Sequence, residues 1–126
     1  MQFSARIISG SGIAGKQNVP TLNLAVEDVP KELHEGIYAC RAEIEYANTG
    51  VRECENGVMH YGPRHVHHLP RSCEVHLLDQ TIEKAPQSMA IEVVQRIRDV
   101  QDFQDSRQLQ KAIQSDIAVA RAILTA

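Results

Sequence analysis

The chain has 126 residues, the usual size of one domain, so we expect a single domain over residues 1–126. An apolar fraction of 43% with 23% charged residues is typical of a globular protein, and no apolar run approaches the ~20 residues of a membrane helix. A net charge of −3, with three Tyr, two Phe and no Trp, offers neither a basic surface nor a stacking platform. These properties argue against membranes and nucleic acids as partners.

The cysteine count indicates the compartment. Cys40, Cys54 and Cys73 form an odd set without CxxC spacing, which argues against a disulfide framework and against a thiolate zinc site. Met1 is followed by an alternating segment and not by a signal sequence. We therefore expect free thiols and a cytoplasmic protein.

Most of the chain has patterns typical of short strands. Alternating apolar and polar residues, bounded by glycine, proline and polar clusters, favour antiparallel strands with loops between them. The predicted strands cover residues 2–9, 21–26, 36–46, 57–61, 72–78 and 89–97. Polar connections are predicted at residues 27–35, 62–71 and 79–88.

The C-terminal segment changes period. Apolar residues recur there every three or four positions, and Asp105 or Ser106 is placed to cap a helix start. The apolar residues are Leu109, Ala112, Ile113, Ile117, Ala120 and Leu124. The chain is thus predicted to be mainly β, a small antiparallel barrel whose final helix packs outside it or across one end.

The first loop holds three glycines within six residues, Gly10, Gly12 and Gly15, followed by Lys16. Its letters match dinucleotide-binding and P-loop patterns, but both patterns need a helix at the last glycine, and Pro20 opposes one. The loop amides and Lys16 could still cradle phosphates without a helix. A simple mobile turn is the alternative.

Thr21 and Asn23 follow this loop two residues apart, so an extended chain directs both side chains to one side. A hydroxyl and an amide oxygen are hard ligands suited to Mg²⁺. The alternative is that both side chains hydrogen-bond only to nearby backbone.

These motifs, in this order and spacing, resemble the riboflavin kinase family. The family has a glycine-rich loop followed by Pro-Thr-Ala-Asn, and this chain has Pro20-Thr21-Leu22-Asn23. Segments that also match are Gly36-Ile37-Tyr38, the Glu-x-His segment at Glu74-Val75-His76, Ile97-Arg98, Phe103, and Leu109, Ile113 and Asp116 of the helix. The likeness spans residues 3–124.

The resemblance implies a six-stranded antiparallel barrel with a C-terminal helix, in an enzyme that phosphorylates riboflavin to FMN with ATP. It implies Glu74 as the general base and Thr21 and Asn23 as the ligands of Mg²⁺. The implied nucleotide-binding residues are Gly10, Gly12, Gly15, Lys16, Thr21 and Asn23. Its partners would be ATP/ADP and riboflavin/FMN, and we expect a monomer without the adenylyltransferase domain of the bifunctional bacterial enzymes.

Two segments depart from the family pattern. His60-Tyr61-Gly62 stands where the family usually has Asn-Ile-Gly, and residues 83–86 stand where it usually has Asp-Leu-Tyr-Gly. These departures keep open a non-catalytic flavin- or nucleotide-binding module, and a related kinase with another donor or acceptor. The histidines of residues 60–76 favour a solvated loop over a zinc site, because they lack ligand spacing. Glu74 could also be a surface carboxylate paired with Arg71.

Overall fold

The computed structural model describes residues 1–8, 21–45, 52–64, 69–78, 87–101 and 105–125. Within them the chain forms six strands, a short 3₁₀ turn and one helix. The strands are β1 (Gln2–Arg6), β2 (Thr21–Leu24), β3 (Gly36–Glu45), β4 (Arg52–Arg64), β5 (Leu69–Leu77) and β6 (Ser88–Arg98). The 3₁₀ turn is Val26–Asp28 and the helix, α1, is Ser106–Leu124.

The six strands form one antiparallel sheet in the order β1-β6-β3-β4-β5-β2. The sheet curls until its two edges meet at a bridge between Ile7 and Leu24. Backbone hydrogen bonds of 3.0 Å from Ile8 to Asn23 and 2.9 Å from Ala25 to Arg6 join the same edges. Joining the edges covers backbone groups that an open sheet would expose. The predicted mainly β, barrel-like fold is confirmed.

The concave side of the sheet holds the main core. Strand alternation sends every second side chain inward, where apolar residues of all six strands pack together. The largest fully buried apolar side chains of this core are Leu22, Leu24, Ile44, Met59, Val75, Leu77, Met89 and Ile91. Burying such a side chain contributes about 1.5–3 kcal/mol, so this interior is the main source of stability.

The convex side is covered by α1. A second apolar cluster contains Ala120 and Leu124 of the helix. It also contains Ile37 of β3, Val58 of β4 and Leu78, which directly follows β5. The helix therefore packs on the outside of the barrel, one of the two positions that the sequence allows. Its start is confirmed, because Asp105 is the N-cap and its Oδ1 accepts a 2.8 Å hydrogen bond from the Gln108 amide.

Three strands are longer than predicted, and β6 (Ser88–Arg98) exceeds its predicted range by one residue at each end. β4 and β5 extend into the predicted loop 62–71, because Gly62 pairs with Ser72 and Pro63 with Arg71. Gly62 has a φ of +153°, where an added Cβ would lie 2.9 Å from Val100. The start of β4 was missed because residues 52–56 are polar, and only pairing with β3 makes them a strand.

The cysteine prediction holds: Cys40, Cys54 and Cys73 are all free. The helix of the described residues is not long and apolar enough to cross a membrane.

Candidate active site

Asn23, Glu74 and His60 form a row across three neighbouring strands. The register of β2 and β5 sets Asn23 opposite Glu74, and the register of β5 and β4 sets Glu74 opposite His60. Directly opposed residues of antiparallel strands have Cβ atoms about 4.5–5.5 Å apart and project from the same face. Glu74 is therefore flanked on one side by an amide and on the other by an imidazole.

This polar row lies on the convex face of the sheet. Val75 and Leu77 are fully buried in the concave core, so Glu74 and His76, which alternate with them, point to the other face. That face also carries Leu78, which packs against α1. The apolar pair thus anchors β5 in the core and leaves Glu74 partly buried on the other face.

His76 connects this row with the helix. It pairs in register with Thr21 on one side and Val58 on the other. Burial lowers the pKa of His76, while the nearby charges of Glu74 and Asp116 act in the opposite direction. His76 is therefore a mainly neutral imidazole at neutral pH, within electrostatic reach of one carboxylate on the strand and one on α1.

Asp116 is held by Arg98 at the end of β6. Two hydrogen bonds of 2.8 Å join the guanidinium to both carboxylate oxygens, and the side chains are only 24% and 7% exposed. Such a bidentate pair has fixed geometry, so it joins the helix to the sheet at one defined position. Arg121 adds a 3.0 Å hydrogen bond from its Nη2 to the carbonyl of Leu78.

Polar atoms are buried along the same face. Oδ1 of Asn23, Nδ1 of His60 and Oγ of Ser72 are buried, and no hydrogen bond to them is found among the described residues. Asn23, His60 and Glu74 each take part in other interactions. Buried polar atoms normally have hydrogen-bond partners, which an ordered water or a bound polar ligand can supply.

Of the predicted site residues, the structure brings Asn23 and Glu74 together. The backbone of Thr21 lies in β2 opposite His76. The predicted nucleotide-binding residues Gly10, Gly12, Gly15 and Lys16 lie outside the described residues.

Three residues near the row had no role predicted from the sequence: His60, Arg98 and Asp116. For Asp116 the sequence did contain a signal, because it is an acidic residue within the apolar stripe of the helix. In the structure it is only 5% exposed. For His60 the signal was its departure from the family's asparagine. Its place opposite Glu74 depends on register, which the sequence does not show.

The sequence left open a surface ion pair between Glu74 and Arg71 and a metal site among the histidines. Arg71, the suggested partner of Glu74, forms a 2.9 Å ion pair with Glu35. Within the described part of the chain no group of three or more His, Cys, Asp or Glu is placed to hold a metal ion. Residues 65–68 of the histidine-rich segment lie outside that part.

The two buried thiols belong to the core and not to the site. Burial raises the pKa of Cys40 to about 12, and Cys73 adds to the effect. Burial likewise raises the pKa of Cys73 to about 12, with a contribution from the charge of Glu74. Both are protonated at neutral pH and act as small apolar side chains.

Comparison with known proteins places this geometry in context. The family model described as "Flavokinase: Riboflavin kinase" matches residues 1–124. A bifunctional riboflavin kinase/FMN adenylyltransferase of Pseudomonas fluorescens is 28% identical over 128 aligned positions, covering 97% of this chain. The chain spans only 38% of that relative's length.

Among solved structures, one described as a macrolide-efflux protein from Streptococcus pneumoniae superposes with a TM-score of 0.74 at 21% identity. The alignment covers 95% of this chain and 38% of the other. At this identity the likeness concerns the fold alone.

Proposed function

Because this chain belongs to the riboflavin kinase family, we propose that it transfers the γ-phosphoryl group of ATP to the ribityl 5′-hydroxyl of riboflavin, giving FMN. The observation that carries the proposal is the row in which Asn23 stands opposite Glu74. Phosphoryl transfer needs positioned phosphates, neutralised charge and a group that accepts the proton of the alcohol. The proposal concerns the kinase step alone.

Glu74 is the proposed general base. Its carboxylate is partly buried on the convex face, while Val75 and Leu77 fix the strand beneath it in the core. A base on a rigid strand can accept a proton from a bound hydroxyl at a reproducible distance. The proton leaves the riboflavin oxygen as that oxygen attacks the γ-phosphorus, and ADP is the leaving group.

Asn23 and Thr21 are the proposed metal-binding residues, and the donor chemistry around Asn23 fits. The amide oxygen of Asn23 is a hard ligand, the kind that Mg²⁺ prefers over nitrogen or sulfur, and the carboxylate of Glu74 opposite it adds negative charge to the site. Bound Mg²⁺ would neutralise the charge of the ATP phosphates. We further propose that Gly10, Gly12, Gly15 and Lys16 contribute amides and a cation to the phosphates.

The first test replaces Glu74 by Gln, which keeps the shape of the side chain and removes the base. A positioned base contributes about 10²–10⁴-fold, so kcat should fall by about that factor while both KM values stay within about twofold. The matched control is Glu92→Gln, because Glu92 is also a strand carboxylate but pairs with Arg41 at 3.1 Å on the surface. Equal kcat for Glu74→Gln and wild type would remove Glu74 from the mechanism.

The second test replaces Thr21 and Asn23 together by Ala. Loss of two oxygen ligands should weaken ATP binding in the presence of Mg²⁺ and change it little in EDTA. Isothermal titration calorimetry in both conditions measures the difference. The metal assignment is wrong if the double variant keeps wild-type affinity with Mg²⁺ present.

The departures at residues 60–62 and 83–86 favour a second candidate, a flavin- or nucleotide-binding module without catalysis. An assay with riboflavin, ATP and Mg²⁺ separates the two. The kinase forms FMN and ADP in equal amounts, whereas the module binds flavin or ATP and forms neither. A panel of other donors and acceptors follows if turnover is slow.

A further inference from the structure

The residue opposite Glu74 on β4 is His60. In this register the two side chains leave the same face of neighbouring strands, with their Cβ atoms about 4.5–5.5 Å apart. Both are partly buried and both are engaged in interactions. An imidazole at this distance can reach a carboxylate with a hydrogen bond, since the two side chains extend towards the same side.

We propose that His60 is a positioning residue for Glu74, donating a hydrogen bond from its Nε2 across the β4–β5 pair that fixes the carboxylate towards the acceptor hydroxyl. The inference rests on the proposed function. Asn23 bounds the carboxylate on the opposite side, so the base is held between two directly opposed neighbours. His60 acts through Glu74 and does not itself exchange a proton with the substrate.

A positioning histidine has a consequence that a positioning amide lacks. When His60 takes up a proton, its positive charge stabilises the ionised form of Glu74 and makes it a weaker base. Turnover should therefore fall on the acid side as His60 becomes charged.

The other groups that face Glu74 do not reproduce this arrangement. Asn23 from β2 does not titrate. His76 is displaced two residues along β5, and it lies within the electrostatic influence of both Glu74 and Asp116. Asp116 itself is paired with Arg98. His60 alone among these stands directly opposite Glu74 and is titratable.

The first experiment measures the contact without relying on activity. NMR titration follows the imidazole signals of wild type and Glu74→Gln, and His60 is assigned by its loss in His60→Asn. Removing the carboxylate charge should lower the proton affinity of His60 by about threefold or more. The exposed His34 should not change. An unchanged proton affinity of His60 would overturn the proposal, whether or not the protein forms FMN.

The second experiment measures the catalytic effect. His60→Ala should lower kcat about tenfold and leave both KM values within about twofold, because only the orientation of the base is lost. His60→Gln keeps an N–H donor at about the position of the imidazole Nε2, so it should recover most of kcat and lose the inflection of His60 in the pH profile. The control is His34→Ala, and melting temperatures verify that each variant is folded.

The outcomes separate the two proposals. If Glu74→Gln is inactive while His60→Ala keeps wild-type kcat and pH profile, the inference fails and the kinase assignment stands. If wild type forms no FMN, the proposed function fails and the catalytic part of the inference fails with it. The titration then still decides whether His60 holds Glu74.

Discussion

The pair of Arg98 and Asp116 should contribute strongly to stability, and Asp116→Asn tests this. The substitution keeps the side-chain volume but removes the negative charge of Asp116, which balances the Arg98 guanidinium through two hydrogen bonds of 2.8 Å. Breaking a buried ion pair from one side costs about 3–5 kcal/mol, because the remaining charge stays buried. Arg98 retains 24% exposure and donates a further 2.9 Å bond to the Asp99 carbonyl, so we expect about 3 kcal/mol.

Urea denaturation followed by circular dichroism measures this loss of unfolding free energy. A loss of about 3 kcal/mol is a large part of the 5–15 kcal/mol typical of a domain and should lower Tm by about 10 °C. The matched control is Asp99→Asn, since the Asp99 side chain is 79% exposed and pairs with Arg96 only at the surface. That control should lose less than about 1 kcal/mol.

A double substitution should recover the lost unfolding free energy. Replacing both residues with apolar ones, as in Arg98→Met with Asp116→Leu, should restore much of the stability, because no buried charge then remains. Equal losses for Asp116→Asn and Asp99→Asn would refute the reasoning. They would show that the pair behaves as a surface ion pair despite its burial.

Two further predictions concern the helix cap and pH. Asp105→Ala should cost about 1 kcal/mol, because the Gln108 amide loses its 2.8 Å acceptor, and an unchanged urea midpoint would contradict the cap assignment. Burial lowers the pKa of His76 from 6.5, so below pH 6.5 the unfolded state binds more protons and stability falls as pH falls. His76→Gln should flatten this decline in stability between pH 7.5 and about 5.5, whereas the control His34→Gln should not. Identical slopes of unfolding free energy against pH for wild type and His76→Gln would refute the role of His76.

Local patterns determined much of the architecture. The alternation of residues along β5 is enough to separate Val75 and Leu77 from Glu74 by face, because side chains alternate in any strand. The helix and its N-cap at Asp105 could also be predicted from the sequence, since both depend on residues within one or two turns. The resemblance of the whole chain identified the family.

Tertiary structure alone decided which residues meet. The strand order β1-β6-β3-β4-β5-β2 sets His60 and Asn23 on either side of Glu74, and no local pattern carries that information. Register depends on burying apolar faces from distant segments together, and on irregularities such as those in the pairing of β3 with β6. The polar start of β4 is a strand only because β3 pairs with it. The ion pair of Arg98 with Asp116 likewise needed the helix to lie on the convex face, since its position follows from packing and not from helix propensity.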